Sequence, residues 1–218
     1  MSIFYGVDLS AIKGILIDLD NTLYDYDPCH QHALRCCHEE FKEIEKQISF
    51  SDFVLAYKDA QALVKKNLIS QAAGHSRFLY FQKLFEKKIG RTDIDLVVCF
   101  EELYWKNFYA KMSLRPGVED FFKHCNALGI IICLITDLTA KVQFEKIKFL
   151  KIDNYINFIV SSEEAGVDKP GVAIFKLALE KIRLLPEQVM MIGDSYERDI
   201  AGAKKLGLKT FLVEVVNI

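Results

Sequence analysis

The sequence predicts an α/β protein: a doubly wound parallel sheet interrupted by an inserted all-helical segment. Three observations carry this. Short apolar runs of strand length alternate with helix-patterned segments through the second half of the chain. One further run of the same kind stands alone near the N-terminus, Lys13-Gly14-Ile15-Leu16-Ile17-Asp18. Between that run and the next, from about Asp27 to Met112, no strand pattern occurs.

The first run is rich in isoleucine and ends in an acid, as a buried parallel strand can. The segment after it carries Phe41, Ile44 and Ile48 at helical spacing, then Leu63, Val64 and Leu68, then Phe78, Phe81, Leu84 and Phe85. This reads as a bundle of about four helices. Arg115-Pro116-Gly117 is a turn signal that marks the return to the sheet. Val118 to Leu128 reads as a helix stopped by Gly129, and Ile130 to Ile135 as the second strand. A helix over Ala140 to Leu150, a strand over Phe158 to Val160 and a helix over Val172 to Ile182 follow. Val189 to Ile192 is a strand, Asp199 to Leu206 a helix ending at Gly207, and Thr210 to Val216 the last strand. The predicted division is therefore a core of residues 1–25 and 113–218 and a helical cap of residues 26–112.

The bulk properties agree with such a protein. A chain of 218 residues that is 51% hydrophobic and 27% charged can bury a substantial core. A net charge of −2, from 28 basic and 30 acidic side chains, leaves no electrostatic footprint for nucleic acid or an anionic membrane. No apolar run approaches the roughly 20 residues that a membrane helix needs. Met1 to Asp8 lacks a basic region followed by a long apolar stretch, so no secretory signal is expected and the cytoplasm is the expected location. The six cysteines form no C-x-x-C pair and are expected as free, mostly buried thiols.

In parallel α/β sheets ligands bind beyond the carboxyl ends of the strands. There the sequence places Asp18-Leu19-Asp20-Asn21-Thr22, then Thr136-Asp137, then Ser161-Ser162 with Lys169-Pro170 beyond, then Gly193-Asp194-Ser195 with Asp199 five residues past Asp194. Asp18 and Asp194 can converge on one hard cation, since carboxylate oxygens suit magnesium. A carboxylate beside a cation is a competent nucleophile toward a phosphoryl group. Thr136, Lys169 and backbone amides can neutralise the equatorial oxygens, and Asp20 can serve as general acid and then general base. Taken singly, each motif is bland, because acids and threonine also cap helices and turns. All four, in order and each just past an apolar strand, are hard to obtain by chance.

Asp18-Leu19-Asp20-Asn21-Thr22-Leu23, Thr136, Lys169-Pro170 and Gly193-Asp194 with Asp199 resemble the four motifs of the haloacid dehalogenase-like hydrolase superfamily, over the whole chain. The resemblance implies a Rossmann-like core and a helical cap. It also implies Asp18 as nucleophile and magnesium ligand, Asp20 as acid/base that offers its backbone carbonyl to the metal, and Thr136 as a phosphoryl binder. Lys169 would hold the phosphate and orient Asp18, Asp194 would ligate magnesium, and Asp199 would act behind it. An acid at Asp20 separates phosphate-ester enzymes from the dehalogenase and phosphonate-cleaving branches. Ser161 to Pro170, Met190 to Asp194 and His75 to Phe78 look like the branch of pyrimidine 5′-nucleotidases and N-acylneuraminate 9-phosphatases. That branch usually has Thr-Asn-Gly where this chain has Thr136-Asp137-Leu138, which removes an easy positive φ and adds charge and bulk near the phosphate, so Asp137 is expected at the phosphate with Thr136 and Lys169.

In the cap, His30, His32, Arg35, His75 and Arg77 are candidates for reading the leaving group. Arg77 suits a carboxylate or second phosphate, although its ordinary reading is a surface or intra-cap ion pair. Tyr24, Tyr26, Phe78, Tyr80, Phe81, Tyr104, Trp105 and Phe108 are chiefly expected as bundle core. Cys29, His32 and Cys36 share a helix face, but their spacing matches no zinc motif.

The expected function is a magnesium-dependent phosphatase of a nucleoside monophosphate or phosphosugar, monomeric or homodimeric, with Mg2+ as cofactor. The alternatives are a phosphosugar mutase, or a binding protein whose altered second motif impairs catalysis.

Overall fold

The computed structural model describes residues 3–214. The chain forms two compact units, one of Met1–Asp25, Ser70–Ala72 and Ser113–Ile218, the other of Tyr26–Ile69 and Ala73–Met112.

The first unit is built on five parallel strands: β1 (Gly14–Ile17), β2 (Ile131–Thr136), β3 (Phe158–Ser161), β4 (Val189–Gly193) and β5 (Lys209–Leu212). Their order is β3-β2-β1-β4-β5. The chain thus winds outward from β1 to β3, returns past β1, and continues to β5. Strands β1 and β4 flank the point where the winding reverses, where such sheets carry their ligand crevice. β1, β2 and β4 are buried along almost their whole length, which is why they read as continuous apolar runs. The last strand begins at Lys209, one residue before the expected start, and of the expected Thr210 to Val216 the residues Val215 and Val216 lie outside the described ones, as do Met1 and Ser2.

Of the helices, α1 (Tyr26–Phe41), α2 (Phe50–Asn67), α3 (Arg77–Ile89) and α4 (Ile94–Lys111) make the second unit, and α5 (Val118–Ala127), α6 (Ala140–Phe149), α7 (Ser162–Ala165), α8 (Val172–Ile182) and α9 (Ala201–Lys204) belong to the first. Ile174, Phe175, Ala178 and Ile182 of α8 pack with Ala203 of α9 against Leu16, Cys133, Ile135, Val160 and Met191 of the sheet. Asp199 to Leu206 is not one α-helix as expected: a π-helical turn, Tyr196–Ile200, precedes the short α9. Its wide ring lets both Asp199 N and Ile200 N reach Ser195 O.

In the second unit α1 packs on α4, α4 on α3 and α3 on α2. Ser49, Ser76 and Asp93 cap α2, α3 and α4 by accepting from Asp52 N, Leu79 N and Leu96 N. The interior is aromatic: Phe41, Phe53, Tyr57, Tyr80, Phe81, Phe85, Phe100, Tyr104 and Phe108 are all fully buried. Two expectations are corrected. Helix α1 ends at Phe41, so Ile44 lies in the following turn and is exposed, and Phe78 and Leu63 point to solvent while their neighbours pack inward. No helix of the described residues is long and apolar enough to cross a membrane.

Candidate active site

Two hydrogen-bonded carboxylates, Asp18 and Asp20, follow strand β1. Asp18 follows it, anchored by its amide to Ile192 O of β4 at 3.0 Å. Its side chain is buried, and Oδ1 accepts from Lys169 Nζ at 2.5 Å. Oδ2 accepts from Thr22 Oγ1 at 2.9 Å. Asn21, at φ +66°, turns the loop so that Thr22 comes back under Asp18, a left-handed conformation asparagine tolerates well. Thr22 Oγ1 also lies 3.2 Å from Asp194 Oδ1 and accepts from Asp194 N at 3.1 Å, which stitches the ends of β1 and β4 together.

Lys169 is the matching cation. Its Nζ donates to Asp18 Oδ1, to Asp199 Oδ1 at 2.8 Å and to Ile135 O at 3.1 Å. Burial opposes its charge, but Asp18, Asp199 and Asp137 outweigh that and hold the ammonium well above its ordinary pKa. Asp199 accepts from Ser195 N through its other oxygen at 3.0 Å. Glycine is required at 193, because a Cβ there would come within 2.3 Å of Asp199 Oδ2.

Among the described residues, Asp18, Asp194 and Asp199 form the one group of three whose ligand atoms lie close enough, within 4.8 Å, to share a cation. Burial raises the Asp18 carboxyl, Lys169 opposes the rise, and Asp199 and Asp194 add to it. Burial likewise raises Asp194, with Asp199 adding to it. Three acids thus crowd one ammonium, and the excess negative charge on an all-oxygen donor set fits a hard divalent cation. Cys29, His32 and Cys36 form no such group, although Cys36 Sγ sits 3.9 Å from His32 Nε2.

At the end of β2, Thr136 is fully buried, and its Oγ1 lies 3.3 Å from Asp137 O. Asp137 does not face its charge freely into the site: Oδ1 accepts the backbone N–H of Lys169 at 2.8 Å, and Oδ2 lies 3.8 Å from Arg198. It therefore fixes the lysine's backbone. Leu138 holds φ +103°, so the chain keeps a glycine-like backbone at this position while carrying a leucine, whose side chain is buried. Ser162 Oγ stabilises the bend by accepting from Leu138 N at 2.9 Å.

Asp20 has partners that the sequence reading did not identify. Lys146 Nζ, from α6, donates to both its oxygens at 2.7 and 2.9 Å. Gln143 Nε2, one turn earlier, lies 3.2 Å from Oδ2, and the Tyr24 hydroxyl bonds Oδ1. Burial raises this carboxyl, but Lys146 together with the hydrogen bonds from Lys146, Tyr24 and Gln143 prevails and holds it below its ordinary pKa. One signal was available: Gln143 and Lys146 occupy α6 positions between Val142 and Ile147 that the helical pattern assigns to the buried face.

In the second unit Arg77 corrects its ordinary reading. It is neither on the surface nor in an ion pair among the described residues. It is buried, donates to His75 O at 2.6 Å and to the Tyr26 hydroxyl, and sits 5.0 to 5.9 Å from the ring centres of Tyr26, Tyr80, Tyr104 and Trp105. His30 packs in the same interior, with Nδ1 2.7 Å from Tyr104 Oη.

The chain belongs to the haloacid dehalogenase-like hydrolase family, whose model matches residues 12–207. It is 32% identical to a ribulose-1,5-bisphosphate 5-phosphatase of Halopiger xanaduensis over 92% of this chain and 84% of that protein. It is 27% identical to a glyceraldehyde 3-phosphate phosphatase of Methanocaldococcus jannaschii over 91% of this chain and 83% of that one. In fold it resembles a Bacillus subtilis hydrolase solved with magnesium, at TM-score 0.68 and 21% identity, covering 91% of this chain and 87% of the other.

Proposed function

We propose that the chain is a magnesium-dependent phosphatase that hydrolyses a small phosphosugar through an aspartyl-phosphate on Asp18. The observation that supports this best is Asp18 itself, buried at the end of the central strand with one oxygen on Lys169 and the other on Thr22, inside a cluster sized for a cation. The named activities of the relatives support the phosphosugar class.

Asp18 and Asp194 would hold the metal, with the Asp20 carbonyl, and Asp199 would stand behind it as the partner of Lys169 and Ser195 N. When bound, magnesium supplies charge neutralisation for the phosphoryl oxygens and for the crowded acids. The chain's own groups do the rest. A carboxylate oxygen of Asp18 attacks phosphorus while the bond to the leaving oxygen breaks. Asp20 gives that oxygen a proton, which it must first take up against the pull of Lys146. Asp20, now a carboxylate, takes a proton from water as the water oxygen attacks phosphorus, and the bond from phosphorus to Asp18 breaks to restore the nucleophile. Lys169 and Thr136 bind the equatorial oxygens. The glycine-like backbone at Leu138 keeps the loop after Thr136 in a usable shape, which supports turnover over the reading of impaired catalysis.

The test is hydrolysis of ribulose 1,5-bisphosphate, glyceraldehyde 3-phosphate, nucleoside monophosphates and p-nitrophenyl phosphate, with magnesium and with chelator. Magnesium-dependent turnover of a phosphosugar is expected. Asp18→Asn should lower kcat by at least about 10³-fold with the fold intact. Turnover retained in that variant would refute the covalent route.

A further inference from the structure

We propose that Lys146 and Gln143 are positioning residues that clasp Asp20 and tie it to Thr136, so that α6 sets the place of the acid/base relative to the phosphoryl-binding hydroxyl. This deepens the proposed phosphatase reading and rests on it.

The clasp has four parts. Lys146 Nζ spans both oxygens of Asp20, a two-point contact that fixes the direction in which the carboxylate faces. Tyr24, held in the loop after Asp20, bonds Oδ1. Gln143 Nε2 bonds Oδ2, and the same nitrogen donates to Thr136 Oγ1 at 2.6 Å and lies 2.6 Å from Asp137 O. One amide therefore joins the end of β1 to the end of β2. Residues 143 and 146 lie three apart on one face of α6, so both reach the same spot.

Stability alone is a poor account of this pair. The Lys146 side chain is fully buried, whereas Asp20 keeps 25% of its side chain exposed. Burying an ammonium to meet a partly exposed acid gains little over an apolar side chain of similar volume. Gln143 is fully buried, and its Oε1 has no hydrogen-bond partner. A glutamine kept only for packing would be expected to have both ends satisfied. What both side chains achieve is a fixed Asp20 beside a fixed Thr136.

The experiment is a double-mutant cycle on kcat and KM between Lys146→Met and Asp20→Asn. Lys146→Met should lower kcat by roughly 30-fold and change KM by less than about 3-fold. In the Asp20→Asn background it should cost under about 3-fold more, because a residue acting through Asp20 has nothing left to position. Gln143→Ala should show a smaller loss, about 5-fold, with the same coupling. It also stands in if Lys146→Met does not fold by circular dichroism. An unchanged kcat, or equal losses in both backgrounds, overturns the clasp. If the wild type itself shows no turnover, the phosphatase reading fails separately. The clasp is then decided by the carboxyl 13C resonance of Asp20. Lys146→Met should move it, and an unmoved resonance overturns the proposal.

Discussion

The two units bury positive charge in opposite ways. At the strand ends each buried lysine meets acid: Lys169 touches Asp18 and Asp199, and Lys146 touches Asp20. Inside the helical unit Arg77 meets a carbonyl, tyrosine hydroxyls and the faces of four aromatic rings, with no carboxylate, and its Nε has no partner. The first arrangement sets formal charges of opposite sign against each other. The second spreads one charge over ring quadrupoles and tyrosine dipoles, and keeps it ionised, since the surrounding tyrosines outweigh burial. The difference makes separate predictions about what each cation's removal leaves behind.

The largest effect is expected at Lys169. Lys169→Met leaves Asp18 and Asp199 buried beside Asp194 with no cation among them. Breaking a buried pair in this way costs about 3–5 kcal/mol. Turnover should also fall by at least about 10²-fold, as when a preorganised donor is removed from a reacting oxyanion. Urea unfolding without metal measures the first, and the phosphosugar assay the second. A loss of stability that vanishes on adding magnesium would sharpen the picture of excess negative charge. A loss below about 1 kcal/mol would break it.

Arg77→Met should cost less, about 1–2 kcal/mol, because no unpaired carboxylate remains. What is lost is the hydrogen bonds of the guanidinium and the ring contacts, and what is relieved is a buried charge with an orphaned Nε. Urea unfolding of the two methionine variants side by side is the direct comparison. An Arg77→Met cost equal to that of Lys169→Met would mean that the aromatic cage binds its cation as tightly as carboxylates do.

How much of this was legible in the sequence follows the same division. The strands and their acids were readable because each is a local signal: Gly14 to Asp18 is an apolar run with its functional group attached, and so is Val189 to Asp194. The family motifs added the roles. Lys146 and Gln143 were legible only as polar residues on the buried face of α6; their partner was not, because it lies 126 and 123 residues away. The π-helical turn before α9 was also hidden, since nothing in Tyr196 to Ile200 marks a wider ring. At Leu138 the sequence warned of lost backbone freedom, yet the neighbours hold it at φ +103° all the same. Such strain costs about 1–3 kcal/mol and persists only where surrounding contacts impose it, here the Ser162 hydroxyl and the burial of the leucine side chain. Arg77 was misjudged because arginine is mostly exposed, and no local pattern reports that rings from α1, α3 and α4 converge on it.

The smallest effect concerns pH and the helical unit. His30 lies half-buried among Tyr26, Tyr57 and Tyr104. Burial, and then the Arg77 charge, push its pKa from 6.5 down to about 4. Between those two values the unfolded chain binds the proton and the folded one does not, so acid favours unfolding there. The contribution to stability is whole above pH 6.5, declines as pH falls, and is gone once pH passes below about 4. A shift of this size corresponds to about 2 kcal/mol after allowance for the ring's partial exposure. Urea midpoints of the wild type and of His30→Gln, taken from pH 4 to pH 7, should converge on the acid side of that window and diverge on the other. In Arg77→Met the window should narrow from its acid end, because part of the depression comes from the guanidinium. An unchanged window in that variant would mean that burial alone sets the histidine, and that the caged charge of Arg77 does not reach its neighbour.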